Sequence, residues 1–289
     1  MIPVQKICQM TFGFHLPEMR PRAALCMILL SSLSSCTSVP LHQGTSLGSY
    51  AGMTASGGTL TKAKLRVDPP AVLAAQTVSI VPTSAAIGSG SAFEPKDLAL
   101  VINAVDRALC TSLSDRFKVV APSQPADLVV HATVTGIVAT NRTAAATSAV
   151  ASLGASVALV PIPRLPIGLG GLSVEAEAVG QDGSQKAAML WSRGANVLTT
   201  KARISSVGDA YSLSSAFGSD FSRMLVKGRD PFKGPSVTLS MQRMKASLGG
   251  NPKYDACKAF GSAPGLKGAV ASQLGLPPGW TDKGAAASQ

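Results

Sequence analysis

Aromatic residues make up 4% of this 289-residue chain, charged residues 14%, and there are only three histidines. So few aromatics leave little material for base-stacking platforms, which argues against single-stranded nucleic-acid binding. Metal chemistry is poorly served. There is no HExxH and no CxxC pair, and His42 and His131 stand far apart in sequence. Nucleophilic catalysis lacks a GxSxG elbow and a placeable Cys–His partnership. No strongly apolar run reaches the roughly 20 residues that a bilayer span needs. No catalysis and no cofactor are therefore expected.

What is present begins with a short greasy segment. Residues 23–35 carry no charge, follow Arg20 and Arg22, and end in small residues. Positive flank, short apolar stretch and small-residue cleavage site are the parts of a secretory signal. The closing LSSC, residues 33–36, resembles the bacterial lipobox. That resemblance implies a cut before Cys36 and acylation of its sulfur and new amine. Two or more acyl chains make a stable anchor where one gives only reversible binding. Thr37 in place of Asp after the cysteine implies sorting to the outer membrane, facing the periplasm. Residues 1–18 fit a signal poorly, and translation is expected to start at Met19.

With residues 1–35 removed, 254 residues remain, with a net charge of +9. The excess sits at the end. From Arg223 onward there are ten Lys/Arg and three Asp/Glu, leaving +2 for residues 36–222. Such a tail is either a solvated basic segment or a dock for anionic headgroups. An extracytoplasmic compartment disfavours nucleic acid as a partner. Two mature cysteines besides Cys36 remain, Cys110 and Cys257. An oxidising compartment makes a disulfide plausible, the alternative being one buried and one exposed thiol.

The expected organisation is a tether and N-terminal segment over 36–76, an α/β domain over 77–230, and a basic, Pro/Gly-rich extension over 231–289. Within the domain, 77–82, 117–122 and 126–140 read as strands. Glu94, Pro95 and Asp97 start a helix whose stripe is Leu98, Val101, Ile102, Val105, Leu109 and Leu113. Strand, helix, strand in that spacing predicts a parallel pair. Residues 171–195 predict a hairpin turning at 180–183, with Val174, Ala176 and Ala178 on one face and Ser173, Glu175 and Glu177 on the other. Leu213, Phe217, Phe221 and Leu225 mark a second helix. The extension is expected to be loose, with one short helix around 237–248.

Residues 143–163 contain no charge and have the length of a membrane span, but Ala, Ser, Thr and Gly make them weakly apolar. The preferred reading of 143–171 is an insertion, a hairpin or loop covering the sheet or facing a partner, with a membrane span as the alternative. Leu153, Val157, Leu159, Ile162 and Arg164 are its candidate partner surface. Glu175 and Glu177 could act as paired acid and base in a hydrolase, but alternation alone predicts a solvated polar face there. The GLGG at 168–171 precedes a strand, so no helix N-terminus would receive a phosphate.

The elements GTSLGSYAGMT (44–54) and GGLSVEAE (170–177), with Trp191 after them, resemble the bacterial lipoprotein family known as domain of unknown function 3313. That family pairs a Gly-x-Leu-x-x-Tyr element, here Gly44 to Tyr50 with one extra residue, with a Gly-Gly-Leu-x-Val-Glu-x-Glu strand, and the resemblance covers about residues 44–230. It implies an envelope lipoprotein without an assigned activity. Strand and helix order is also similar to the N-terminal domain of TolB. The fold expected is α+β: a mixed sheet of about five strands, two helices on one face and an irregular C-terminal extension. The leading functional expectation is a non-catalytic outer-membrane lipoprotein, a partner-binding accessory of an envelope transport or assembly complex. The alternative is a module binding peptidoglycan, glycan or anionic lipid.

Overall fold

The computed structural model describes residues 39–88, 93–156, 167–197, 199–234, 244–245, 248–282 and 284, with only the backbone at 151–156. Eight strands form one mixed sheet in the order β1-β2-β8-β7-β6-β3-β5, with β4 also on β6. They are β1 (Thr54–Gly57), β2 (Thr61–Val67), β3 (Thr77–Ile80), β4 (Ser84–Ala85), β5 (Lys118–Val120), β6 (Leu128–Val138), β7 (Gly171–Gly180) and β8 (Gln185–Gly194). β3 runs parallel to both β5 and β6, while β6, β7 and β8 are successive antiparallel neighbours.

Period-2 alternation decides what each face meets. Leu128, Val130, Ala132 and Val134 of β6, Leu172, Val174, Ala176 and Ala178 of β7, and Met189 and Trp191 of β8 all enter the main core. The helices bring a 3.6-residue stripe to the same core. Helix α1 spans Pro69–Ala74, α2 spans Pro95–Leu113, α3 spans Arg142–Ser156, α4 spans Gly208–Lys227 and α5 spans Gly265–Gln273. Val101, Val105, Leu109 and Leu113 of α2, and Leu213, Phe217, Phe221 and Leu225 of α4, are buried there. The two long helices approach closely at Gly218, where an added Cβ would sit 2.6 Å from the Ala108 carbonyl carbon. Trp191 meets Phe217 edge-on at 5.6 Å, and its indole N–H donates to Asp220 at 2.9 Å.

Several expectations are corrected. Among the described residues the sheet has eight strands, where the sequence predicts about five. β1 and β2 lie inside the presumed tether of 36–76, because TKAKLRV puts Ala63 and Leu65 inward on β8 while its lysines stay out. The presumed hairpin or loop at 143–171 begins as helix α3. Alanine is the best helix former, and Asn141 caps the first turn by accepting the Ala144 N–H at 3.0 Å. Residues 157–166 lie outside the described residues.

The extension is not loose throughout. A 3-10 turn at Asp255–Phe260, helix α5 and a second 3-10 turn at Pro278–Trp280 follow one another. Cys257 and Phe260 join the main core. A disulfide joins Cys257 to Cys110 of α2, Cα to Cα 5.8 Å. Asp282 is 4% exposed and accepts from the Arg107 guanidinium and, at 2.6 Å, from the Tyr211 hydroxyl. Most of the helix read around 237–248 falls outside the described residues, of which Met244 and Lys245 are helical. Among the described residues no helix is long and apolar enough to cross a membrane.

Candidate functional site

The alternation that turns Val174, Ala176 and Ala178 towards the helices turns Ser173, Glu175 and Glu177 to the opposite face of β7. That face is covered. Glu175 is fully buried and Glu177 is 7% exposed, so the solvated polar face expected at these positions is not what forms. The cover is the chain from Val39 to Tyr50, laid across β7 and β8.

Each polar side chain of β7 holds a successive part of this strap. The Ser173 hydroxyl donates to the Pro40 carbonyl at 3.0 Å, and Ser192 of β8 donates to the Val39 carbonyl at 3.3 Å. Glu175 accepts the Gly44 N–H on Oε2 and the Ser46 N–H on Oε1, both at 2.9 Å. The Ser46 hydroxyl adds a bond to Oε1 at 2.5 Å. The Tyr50 hydroxyl lies 3.0 Å from Oε2 and 2.8 Å from the Gly44 carbonyl. Glu177 accepts the Gly48 N–H at 2.8 Å and the Gln185 side-chain amide at 2.6 Å. Arg66 in turn donates to the Gln185 side-chain oxygen.

The donors Gly44, Ser46 and Gly48 are alternate residues, so the strap offers every second N–H to a strand that offers every second carboxylate. Glycine at 44 is required by the close approach. A Cβ there would fall 2.4 Å from Glu175 Oε1. Leu47, between two of the donors, buries itself with Ala188 and Leu190 in a small second cluster, flanked by Leu41, Tyr50 and Met53. Burial raises the Tyr50 hydroxyl above its ordinary pKa, and the neighbouring Glu175 adds to the rise.

Charge-assisted bonds of this kind are worth roughly 1.5–3 kcal/mol each, and a buried carboxylate left without them is costly. The arrangement is therefore a fastening. A general acid or base has to reach a substrate proton, whereas both oxygens of Glu175 are taken by the strap.

The remaining candidates scatter. Cys36 lies outside the described residues, as do Val157, Leu159, Ile162 and Arg164. Leu153 is on α3, with its side chain outside them. His131 is an exposed residue of β6 opposite Glu177 in register, and His42 packs beside Gly136. The Gly170 N–H is held by Asp209 at 2.7 Å and Gly171 packs on Val39, so GLGG cradles nothing in this arrangement. Among the described residues no group of His, Cys, Asp or Glu is placed to hold a metal ion.

Two other hydrogen-bonded carboxylates, Asp106 buried and Asp127 half-buried, carry no sequence signal. Asp106 accepts the Thr83 N–H at 2.9 Å, and burial raises its carboxyl to about 6. Asp127 accepts the Gln76 and Thr77 N–H groups, each at 2.9 Å, which hold its carboxyl below the usual range.

A family model described as "Protein of unknown function (DUF3313)" matches residues 43–221, a span containing both the strap donors and the glutamates. Among the solved structures with some similarity to this chain are two of the PelC dodecamer from Paraburkholderia phytofirmans. One, a single-substitution variant, is 10% identical with a TM-score of 0.36, covering 59% of this chain and 99% of that one. The other is 11% identical, with the same TM-score and coverage. No curated protein matches the chain.

Proposed function

This chain belongs to the DUF3313 family, proteins of unknown function, and from that premise we propose that it is a non-catalytic, lipid-anchored protein of the bacterial outer membrane. Its α/β body faces the periplasm and serves as the partner-binding accessory of an envelope transport or assembly complex. The resemblance of strand and helix order to the TolB N-terminal domain belongs to the same proposal.

The observation that carries it is the seam between Glu175, Glu177 and residues 44–48. It gives the paired carboxylates a structural occupation, which removes the main support for a hydrolase. It also fastens the chain a few residues after the anchoring cysteine. Only Thr37 and Ser38 separate Cys36 from Val39, which is 4% exposed. A tether with dozens of free residues would let a domain sample many positions. Two residues of slack hold the body at the membrane and fix which partners it can meet.

The proposed partner surface takes in α3 and the segment after it. Val150 and Ile167, on either side of the segment proposed from sequence, are 69% and 64% exposed. Exposed apolar residues of this kind are the material of contact surfaces.

The test has two parts. Radiolabelled palmitate should enter the wild-type protein and be absent from Cys36→Ser, which should leave the outer-membrane fraction. A photocrosslinker at position 150 in living cells should yield a discrete adduct. Palmitate-free protein that stays in the membrane contradicts the anchor, and capture of nothing beyond abundant porins contradicts the partner surface.

A further inference from the structure

On the helix side of the sheet, far from the glutamate seam in sequence and on the opposite face, a cavity of about 700 Å³ opens between α2, α4 and the loop that joins β8 to α4. Its size falls in the range of small-molecule sites. Its lining includes Arg107, Arg193, Lys201 and Arg203, with hydroxyls such as Thr111 and Ser215, and no Asp or Glu. We propose that this cavity binds an oxyanion, a carboxylate or a phosphate group, carried on a small hydroxylated ligand, and that Arg203 is its principal contact.

The guanidinium of Arg203 is the decisive group. The residue is only 8% exposed, yet among the described residues its Nε and Nη1 have no hydrogen-bond partner. It rests over the Tyr211 ring, 5.2 Å from the centroid. A ring face attracts a cation but leaves its in-plane N–H donors unsatisfied. Buried charges in folded proteins are paired, because an unpaired one is strongly destabilising.

The nearest acid does not supply the pairing. Asp282 attracts Arg203 electrostatically, but its hydrogen bonds go to Arg107, the Tyr211 hydroxyl and the Gly284 N–H, so the Nε and Nη1 donors of Arg203 gain no acceptor from it. Arg193 likewise has a buried Nε without a partner among the described residues. Lys201, exposed at the rim, adds a third cation that no salt bridge among the described residues neutralises. The planar guanidinium fork matches the two oxygens of a carboxylate or phosphate. The serine and threonine hydroxyls around it suit a polyhydroxylated carrier better than an apolar one.

This site does not depend on the lipid anchor, and the two fail separately: Cys36→Ser should bind the anion as well as wild type. The test titrates the full-length protein with inorganic phosphate, with D-glucuronate and with methyl glucoside as a neutral control, followed by calorimetry. Glucuronate or phosphate should bind and methyl glucoside should not. Binding by phosphate alone assigns the oxyanion to a phosphate, and binding by glucuronate alone assigns it to a carboxylated sugar. Arg203→Met should weaken binding at least tenfold, with the near-ultraviolet signal of buried Trp191 retained. If that variant does not fold, Lys201→Met at the exposed rim should still cost several-fold. Absence of binding by both anions, equal binding of the neutral sugar, or unchanged affinity in a folded variant overturns the proposal.

Discussion

The carboxylate of Glu175 accepts the backbone N–H of Gly44 at 2.9 Å across 131 residues of sequence. Every contact this carboxylate makes is to a donor, so Glu175→Gln, though isosteric, should not be tolerated. One oxygen becomes an NH2 group facing the N–H of either Gly44 or Ser46. The expected loss is about 1–3 kcal/mol, read as a lower urea midpoint with an unchanged slope. Gly44→Ala, which drives a methyl into the same carboxylate, should cost a similar amount. Wild-type midpoints in both would place the strap elsewhere.

The disulfide between Cys110 and Cys257 closes a loop of sequence separation 147. Cross-links over loops this long are worth about 2–5 kcal/mol, chiefly by restricting the unfolded chain. The paired substitution Cys110→Ala with Cys257→Ala should lower stability by that order. It should also make residues 248–282 sensitive to protease before the sheet is. An unaltered cleavage pattern would mean that the Arg107–Asp282–Tyr211 contacts and the packing of Phe260 on the core hold the extension without the cross-link.

Asp106 sets a pH dependence. Burial raises its carboxyl from 3.8 to about 6, against the bonds from Thr83 that pull it down. Between those values the folded chain keeps a proton that the unfolded chain has released. The stabilisation is thus complete below about pH 4 and is lost as pH rises through 6, a fall of about 3 kcal/mol in all. Asp106→Asn keeps an acceptor for Thr83 and should flatten this slope. A variant with the wild-type profile would show that another group titrates.

Helices α2 and α4 were legible because their apolar stripes are strong, β6 and β7 because alternation over ten or more residues is hard to mistake, and β8 because the turn at 180–183 marks it as the second arm of a hairpin. β1 and β4 were not. TASG holds no large apolar residue and SA is two residues long, so backbone pairing with neighbours makes them strands. The alternation in β2 was weak because lysine and alanine favour strands poorly.

Glu175 and Glu177 were visible as a pair on one face, but their partners were not. Carboxylates placed by alternation look solvated until something covers them. That cover comes from a Gly/Ser-rich segment whose donors are mostly backbone N–H groups, which carry no residue identity. Arg203 was equally silent, since burial of a lone arginine depends on how α2, α4 and the C-terminal extension pack.

Hydrogen exchange across residues 44–50 tests the central claim most directly. In the wild-type protein the Gly44, Ser46 and Gly48 amides should exchange slowly, in step with β7, although they lie in no strand or helix. In Glu175→Gln/Glu177→Gln they should exchange at near the free-peptide rate while the core of β6–β8 stays protected. Fast exchange at these three amides in the wild type would contradict the account.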